Sequence, residues 1–453
     1  MRAAVANYMT MPVPRYTSYP TAPHFHEGIG EGAVRAWLAR LDPAEPISLY
    51  VHVPFCRQVC WYCGCNMKLV GNREGPLDDY VDALVEEIGL VADALPGRLR
   101  VSHVHFGGGT PTVLSAAALG RVMSALGARF DLLPDAEVAI ECDPRTFAAD
   151  KAQTLGALGF NRASFGVQEF DPKVQAAINR IQPPEMVARA VEALRAAGIA
   201  SVNFDLIYGL PLQTPESFAR TLAQVNALRP DRIALYAYAH LPSRFKPQRR
   251  IVAAELPSAS DKLGMLSLSI DALLDAGYVY IGMDHFALPT DALAVARRQG
   301  RLHRNFQGYS TQPDCDLIAL GVSAIGRIGA TYSQNAKTLE EYRDLLDQGR
   351  LPIVRGLALT RDDLLRRAVI MSLMCQGEVQ FEPIELGHLI DFRRHFAREI
   401  EALDELAALG LVQVDATGLH VTEAGWYLVR AIAMVFDRNL QVDENRARFS
   451  RII

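Results

Sequence analysis

Four of the seven cysteines lie within ten residues of one another, in the segment Cys56-Arg-Gln-Val-Cys60-Trp-Tyr-Cys63-Gly-Cys65. The first three have the spacing CX3CX2C, and soft thiolate ligands at this spacing suit one face of a [4Fe–4S] cube. Three ligands leave one iron without a protein partner, so that iron is open to a substrate or cofactor. Zinc is the alternative, although a structural zinc site calls for a fourth ligand and paired C-x2-C modules.

The other cysteines have different predicted roles. Cys65 is a poor fourth ligand if one iron must stay open, so we expect it to have a local structural or redox role. Three isolated cysteines are expected to be small buried residues, namely Cys142, Cys315 and Cys375.

A second motif, Gly107-Gly108-Gly109-Thr110-Pro111-Thr112, directly follows an apolar run. Glycine lets the backbone approach a ligand closely because no Cβ intervenes. The alternative is a tight strand-to-helix connection with no ligand. The position after a strand that neighbours the cysteine loop favours a ligand role.

The elements that must position these motifs follow a repeating pattern. Six β-branched apolar runs alternate with amphipathic stretches such as 77–95, 186–197 and 215–228, the last with Thr214 as N-cap. This pattern predicts an α/β fold, an open (β/α)6 partial TIM barrel with a parallel sheet. The six predicted strands are 47–53, 101–106, 138–142, 162–167, 202–207 and 233–238.

The rest of the chain is less regular. A helix at 261–275 and a strand at 278–283 precede a loop-rich stretch that we expect to cover the open side of the sheet. From about residue 360 the pattern is mainly helical and resembles a winged-helix unit. The predicted divisions are an N-terminal substrate-site arm (1–45), the core (46–285), a loop-rich closing segment (286–359) and a C-terminal helical domain (360–453).

Composition excludes several classes of protein. Lys and Arg number 46 against 51 Asp and Glu, a net charge of −5, so the basic excess of a nucleic-acid-binding protein is absent. The sequence has no apolar run of membrane-spanning length and no signal-peptide pattern at its start. We therefore expect a cytoplasmic protein with no nucleic-acid or membrane partner.

The CX3CX2C loop, with aromatic Tyr62 before its third cysteine, resembles that of the radical S-adenosylmethionine enzymes, which use an open (β/α)6 sheet. The resemblance implies that Cys56, Cys60 and Cys63 hold a [4Fe–4S] cluster. In this superfamily the open iron binds the amino and carboxylate groups of S-adenosylmethionine, and reduction cleaves it to methionine and a 5′-deoxyadenosyl radical.

A closer resemblance, to the oxygen-independent coproporphyrinogen III oxidases, extends over nearly the whole chain. It rests on the segments 14–20 (PRYTSYP), 48–56 (SLYVHVPFC), 63–66 (CGCN), 205–211 (DLIYGLP), 282–286 (GMDHF) and 303–309 (HRNFQGY). It implies anaerobic oxidative decarboxylation of two propionates of coproporphyrinogen III to vinyl groups, giving protoporphyrinogen IX in haem biosynthesis. A haem-chaperone relative is the alternative, but such relatives typically lack Cys65 and the 14–20 segment.

The same resemblance implies two S-adenosylmethionine sites. The first is assigned to Tyr50, Gly108, Glu141 and Ile325. The second is assigned to Tyr62, Gly109, Thr110, Gln168, Arg180, Asp205 and Ala239. Ordinary ion pairing at strand ends is the alternative for Glu141, Arg180 and Asp205.

Catalytic roles are predicted for Tyr50, His52 and Gln307, although His52 has the alternative of a satisfied core histidine. Four propionates around an apolar macrocycle need cationic and hydrogen-bonding partners. The predicted substrate residues are Arg15, Tyr16, Tyr19, His303 and Arg304. The expected partners are an electron donor such as flavodoxin or ferredoxin and an electron acceptor of unknown identity, with the protein acting as a monomer.

Overall fold

The computed structural model describes residue 8 and residues 11–306, 308–311 and 315–442. Two compact units are present. The unit that we call the sheet unit comprises Phe25–Ala272 and Cys315–Ala358. The helical unit comprises the described parts of Met1–His24, Leu273–Asp314 and Leu359–Ile453.

Six parallel strands lie side by side in chain order in the sheet unit, which confirms the predicted open (β/α)6 core. Each predicted strand is present: the first has the predicted bounds, the last is shifted by one residue, and the other four are longer than predicted by one to seven residues. The strands are β1 (Ile47–Val53), β2 (Arg100–Gly108), β3 (Asp131–Cys142), β4 (Arg162–Gln168), β5 (Ser201–Tyr208) and β6 (Arg232–Ala237).

Burial alternates along these strands because successive side chains point to opposite faces of a sheet. In β5, Val202, Phe204 and Leu206 are fully buried, whereas Asn203 and Asp205 keep partial exposure on the other face. The apolar face packs on the helices, and the polar face is the inner, concave face of the open barrel. Polar residues that alternate with the core therefore line the concave face.

The helices of the sheet unit follow its strands. Helix Pro215–Leu228 starts as predicted, because the Thr214 side chain accepts from the Ser217 N–H while the Ser217 side chain accepts from the Thr214 N–H. The other helices are Glu31–Leu38, Gly75–Ala92, Ala116–Arg129, Ala149–Ala157, Pro172–Ala177, Pro184–Ala196, Ala259–Asp275 and Leu339–Leu346.

Four more strands extend the sheet beyond β1, where the sequence predicted loops. They are β7 (Leu317–Leu320), β8 (Ile325–Ile328), β9 (Thr331–Asn335) and β10 (Ile353–Ala358). β7 pairs with β1 in parallel, and the others add antiparallel strands. These runs are four to six residues long, so their apolar period is too short to separate strand from loop.

A buried carboxylate joins this extension to helix Gly75–Ala92. Glu87, 1% exposed, accepts hydrogen bonds of 2.6 Å each from the Gly321 N–H, the Asn335 amide and the Tyr342 hydroxyl. Burial outweighs these donors and raises the pKa of Glu87 to about 7. Between pH 4.5 and about 7, Glu87 therefore keeps its proton in the folded protein, whereas the same carboxyl group is ionised in the unfolded chain.

We expect Glu87→Gln to flatten the pH dependence of stability. The unfolded carboxyl ionises near 4.5 and the folded one near 7, so the native protein loses stability as the pH rises between these values. The full difference is about 3 kcal/mol at most. Thermal unfolding midpoints from pH 5.5 to pH 8 will fall less steeply for the variant. The control is Glu192→Gln, at an exposed position. If the unfolding midpoints of both variants and the parent fell equally with pH, the raised pKa of Glu87 would be contradicted.

The helical unit contains short helices around one aromatic-rich core that includes Phe381, Phe392, Phe396 and Phe436. Its helices are Ala292–Arg298, Arg361–Gln376, Phe381–His388, Phe392–His395, Ala397–Ala402, Asp404–Ala408, Glu423–Trp426, Val429–Met434 and Arg438–Val442. Its strands form two antiparallel hairpins and one three-stranded sheet, namely Val279–Gly282 with His285–Ala287, His303–Asn305 with Gly308–Ser310, and Glu378–Gln380 with Gly418–Val421 and Val412–Val414. The last sheet and the helices before it match the predicted winged-helix-like pattern.

The compact units differ from the predicted divisions. The arm predicted as 1–45 is divided at His24, and the segment predicted as 286–359 is divided between the two units. Val13, Tyr16 and Tyr19 have no exposed surface and belong to the core of the helical unit. These three residues therefore make the first part of the arm an integral piece of that core.

Among the described residues, no helix has the length and apolar character needed to cross a bilayer.

Candidate active site

The cysteine loop begins where β1 ends. Phe55–Cys56 pairs in parallel with Lys68–Leu69, and the Val70 N–H donates to the Cys56 carbonyl at 3.0 Å. The middle of the loop is held by the Trp61 N–H, which donates to the Ile178 carbonyl at 2.9 Å. These backbone contacts fix the loop at the carboxyl edge of the parallel sheet, where α/β barrels place their active sites.

Two buried guanidinium groups contact the sulfur of Cys60. Arg145 Nη2 and Arg180 Nη1 each lie 3.2 Å from Cys60 Sγ. Both also pair with Asp143, at 2.6 and 3.4 Å, and their side chains are only 6% exposed. Although burial acts to raise it, the charge of Arg180 and the hydrogen bonds from Arg145 hold the pKa of Asp143 below its ordinary value. Two fixed cations therefore lie in direct contact with the sulfur of Cys60.

The other two cysteines differ from Cys60. Hydrogen bonds from Cys65 lower the pKa of Cys63 to about 7, and the Cys65 N–H lies 3.4 Å from Cys63 Sγ. Burial raises the pKa of Cys56 to about 12, with Thr110 Oγ1 at 3.5 Å from its sulfur. Cys56 therefore needs a bound cation to lose its proton at neutral pH.

These three sulfurs fit an iron–sulfur cube. In the described part of the chain, no three His, Cys, Asp or Glu side chains are grouped to hold a single metal ion. A cube does not require such convergence, because each thiolate binds a different iron. Cys65 is exposed, as suits a residue outside the ligand set. Cys142 and Cys375 are buried as predicted, but Cys315, which lies two residues before β7 with its sulfur 3.0 Å from Ser48 Oγ, is only half-buried.

The glycine motif makes room for protein side chains. A Cβ on Gly107 would lie 2.9 Å from Glu141 Oε1, and a Cβ on Gly108 would lie 2.7 Å from the His52 ring. Gly108 also has a φ of +119°, which disfavours other residues. The motif therefore brings β1, β2 and the Glu141 carboxylate together, a packing reason that the sequence did not reveal.

His52 is not a satisfied core histidine. It is 8% exposed, its Nδ1 lies 3.0 Å from the Tyr50 hydroxyl, and its Nε2 has no hydrogen-bond partner among the described residues. Burial lowers the pKa of His52, although the nearby Asn66 backbone acts in the opposite direction. A buried, unpaired ring nitrogen costs free energy unless a further group supplies its partner.

Glu141 occupies the concave face with 40% of its side chain accessible. Its Oε2 accepts from the Gly108 N–H at 3.0 Å, and its Oε1 lies 3.4 Å from His105 Nε2. The His105 ring stacks on Tyr50, with centroids 5.9 Å apart. Although burial acts to raise it, the hydrogen bond and charge of His105 hold the pKa of Glu141 below its ordinary value. Glu141 is therefore an ionised carboxylate open to a cationic group.

Asp205 is the second carboxylate of the concave face. It accepts from Asn203 Nδ2 at 3.0 Å and from Ser164 Oγ at 3.2 Å. Burial and the charge of Glu141 raise the pKa of Asp205 to about 6. Two acidic side chains with different pKa values are thus present on one face, as is typical of active sites.

The other predicted cofactor residues lie mostly where neighbouring strands end. Gln168 ends β4 with a φ of +66°, and its Oε1 is buried with no partner among the described residues. Arg180, by contrast, forms an ion pair with Asp143, as expected if its role were ordinary ion pairing at the strand ends. Tyr62 packs in a buried cluster with Val174 and Ile178. The remaining residues, Thr110 after β2, Ala239 after β6 and Ile325 at the start of β8, follow the same edge of the sheet.

Sequence reasoning missed His105, Asp143 and Arg145. The two-residue alternation of β2 places His105 on the face of Gly107, a signal that was available. Asp143 and Arg145 directly follow β3, but their contacts with the cysteine loop depend on tertiary packing.

The predicted substrate residues belong to the helical unit. Tyr16 and Tyr19 were expected to contact substrate, but both are fully buried, and Tyr16 donates to Asp437 at 3.1 Å. The structure thus assigns these two tyrosines to the core, since neither offers accessible surface. Arg304 is 6% exposed, and its guanidinium lies 4.7 Å from the Tyr309 ring centre.

Arg15 and His303, which were also predicted to contact substrate, lie close to Arg304. Arg15 lies 3.6 Å from Asp284, and its carbonyl accepts from Arg304 Nε at 3.3 Å. His303 pairs with Ser310 in the hairpin that also carries Arg304. Gln307, predicted to be catalytic, lies outside the described residues.

An open six-stranded parallel sheet with a three-cysteine loop at its carboxyl edge defines a radical S-adenosylmethionine enzyme, which uses S-adenosylmethionine and a [4Fe–4S] cluster. The Radical SAM superfamily model matches residues 50–225, and the HemN C-terminal domain model matches residues 359–428. The chain belongs to the family of the oxygen-independent coproporphyrinogen III oxidases.

Similarity to individual members spans nearly the whole chain. The oxygen-independent coproporphyrinogen III oxidase of Pseudomonas aeruginosa is 51% identical over 97% of this chain and 96% of its own length. That of Escherichia coli is 49% identical over the same shares. The solved structure of the Escherichia coli enzyme, HemN, matches with a TM-score of 0.91 and 46% identity, covering 96% of this chain and 98% of that one.

Proposed function

We propose that this chain oxidatively decarboxylates two propionate side chains of coproporphyrinogen III to vinyl groups, giving protoporphyrinogen IX without oxygen. The observation that carries this proposal is the near-complete alignment, at about half identity, with relatives of that name. Each propionate would lose one hydrogen atom from its β-carbon, then CO2 and one electron. Two such events convert substrate to product.

The bound cofactors would supply the hydrogen-abstracting radical, and the chain would supply binding and orientation. Glu141 would bind the ammonium group of one S-adenosylmethionine, since it is ionised and partly accessible. Tyr50, Gly108 and Ile325 would complete that first site. His52 Nε2 has no partner in the described part of the chain and would form a hydrogen bond with a bound group or transfer a proton there.

A second S-adenosylmethionine is supported by Gln168, whose buried Oε1 also has no hydrogen-bond partner within the ranges that the structure describes. Asp205 would accept a hydrogen bond from a ribose hydroxyl or an ammonium group. Arg180 would act on this site through the cluster loop, because its guanidinium is already bound to Asp143 and Cys60. Tyr62, Gly109, Thr110 and Ala239 would complete the site.

The propionates would be recognised in part by Arg304. Its Nη1 is buried and has no hydrogen-bond partner among the described residues, which leaves a charged donor for a carboxylate. Arg15 and His303 would add to this recognition. Tyr16 and Tyr19 would act by holding the arm in the helical core.

We expect Arg304→Leu to raise the KM for coproporphyrinogen III by one to two decades, because a charge-assisted contact contributes about 1.5 to 3 kcal/mol. Arg304→Lys should recover part of the loss, since the charge returns. The cluster content and S-adenosylmethionine affinity should not change. Exposed Arg301→Leu is the control, and an unchanged KM for Arg304→Leu would remove Arg304 from the substrate site.

The electron donor would be a flavodoxin or ferredoxin, and the acceptor of the electrons left after decarboxylation is of unknown class. We propose that the protein acts as a cytoplasmic monomer. These points rest on the family resemblance and on the cluster's need for an external electron.

The function is tested by anaerobic reconstitution with iron and sulfide, followed by incubation with coproporphyrinogen III, S-adenosylmethionine and a reductant. Mass analysis should find protoporphyrinogen IX, with methionine and 5′-deoxyadenosine. Binding of porphyrin with no decarboxylation would instead identify a haem-handling relative.

A further inference from the structure

A cationic surface adjoins the cysteine loop, although the chain as a whole carries a net charge of −5. The segment 236–252 contains Arg244, Lys246, Arg249 and Arg250 and no acidic residue. All four side chains are exposed. The cysteine-loop segment 56–73 also has no Asp or Glu. We call Arg244, Lys246, Arg249 and Arg250 the basic face.

The basic face is built directly onto the loop that carries the cluster ligands. Lys246–Arg250 forms a short 3-10 helix whose buried Gln248 donates to the Tyr62 carbonyl at 2.8 Å, between Cys60 and Cys63. The Arg250 guanidinium lies 5.8 Å from the Trp61 ring centre. These contacts place the cations of the face beside the loop as one surface.

Three of the four cations of the basic face have little compensating charge. Among the described residues, no carboxylate is within ion-pair distance of Lys246, Arg249 or Arg250. Lys337 adds to the surface, since the Asn66 amide of the cysteine loop donates to its carbonyl at 3.3 Å. Burial, and then the charges of Arg355 and Arg244, lower the pKa of Lys337, as expected in a field of like charges.

Exposed apolar side chains accompany the cations. Val252 follows the basic 3-10 helix and is 53% exposed, and Ile181 follows Arg180 and is 58% exposed. Their neighbours Ile251 and Ile178 pack in the buried cluster that includes Trp61 and Tyr62. Apolar contacts with a charged rim that contains Arg are typical of protein–protein interfaces.

We propose that the basic face is the docking surface for a protein electron donor with an acidic surface. This inference rests on the proposed function, in which the cluster receives an electron from outside. Electron transfer requires close approach, so a donor must bind over the loop that holds the cysteines. A basic rim there attracts an acidic partner, raises its association rate and orients it.

The test compares two double charge reversals in the reconstituted protein. Lys246→Glu with Arg249→Glu reverses the basic face, and Arg100→Glu with Arg189→Glu makes the same charge change at exposed cations elsewhere in the sheet unit. The probes are a reduced acidic flavodoxin and reduced methyl viologen, a small cation. Stopped-flow bleaching of the cluster absorbance measures each reduction rate.

We expect flavodoxin to reduce the basic-face variant at least about tenfold more slowly than the parent at low ionic strength, with a weaker salt dependence. Methyl viologen should reduce the two at similar rates, and the control variant should behave like the parent. Calorimetric titration with oxidised flavodoxin should show a parallel loss of affinity.

Equal flavodoxin rates for the basic-face variant and the parent would overturn the docking surface. A raised KM for coproporphyrinogen III with methyl viologen, and an unchanged flavodoxin rate, would assign the cations to substrate carboxylates and also overturn it. Failure of the parent to convert coproporphyrinogen III with methyl viologen would instead contradict the proposed function, since docking is measured by cluster reduction alone.

Discussion

Replacing any one of Cys56, Cys60 or Cys63 with serine will abolish retention of the [4Fe–4S] cluster or cleavage of S-adenosylmethionine. A serine hydroxyl is a hard and weakly acidic ligand, whereas iron–sulfur clusters prefer thiolates. Cluster retention should be most sensitive to substitution at Cys60, because the buried guanidinium groups of Arg145 and Arg180 would then contact a neutral serine hydroxyl. Iron and sulfide content, together with 5′-deoxyadenosine yield, measures the loss.

Cys65→Ser should keep the cluster, because Cys65 is exposed and its backbone N–H, which survives the substitution, contacts Cys63 Sγ. The matched control is Cys315→Ser, which changes a half-buried cysteine just before β7. A preparation that holds stoichiometric zinc and no iron under anaerobic conditions would contradict the cluster assignment.

Glu141→Gln will weaken S-adenosylmethionine binding by one to two decades, since a charge-assisted contact contributes about 1.5 to 3 kcal/mol. Glutamine keeps an oxygen that can accept from the Gly108 N–H, so the melting temperature should change little. Equilibrium binding to the reconstituted protein measures the affinity. Unchanged affinity, or unfolding of the variant, would favour a structural role.

Arg180→Ala is the informative comparison. The sequence alone predicts the same result as for Glu141, but Arg180 bridges Asp143 and Cys60 and is 5% exposed. We therefore expect it to lower the melting temperature and cluster retention as well as cofactor affinity. Removing one partner of a buried ion pair leaves an uncompensated charge.

The core of the fold was predictable because strong local signals agree with the tertiary structure. The β1 run 47–53 and the helix at 215–228 have the predicted bounds, the latter because Thr214 and Pro215 mark its start. The extension from β7 to β10 was not predictable, since its pairing with β1 depends on residues more than 260 positions apart, such as Ser48 with Leu317. Short strands have too few periods to reveal such partners.

The site was partly predictable for a similar reason. The spacing of the cysteines and the glycine motif carry information that is local in sequence. The contacts of Arg145, Asp143 and His105 arise only when strand ends meet. For Tyr16 and Tyr19 the local signal was misleading. The family resemblance of segment 14–20 led us to predict substrate contact, whereas the structure shows both side chains packed in the core.

On the proposed function, the β-carbon of each reacting propionate gives a hydrogen atom to a 5′-deoxyadenosyl radical, which becomes 5′-deoxyadenosine. The direct test uses coproporphyrinogen III deuterated at the propionate β-carbons, incubated anaerobically with the reconstituted protein, S-adenosylmethionine and reductant. We expect deuterium in 5′-deoxyadenosine in proportion to the protoporphyrinogen IX formed. Product formed while 5′-deoxyadenosine contains no deuterium would contradict it.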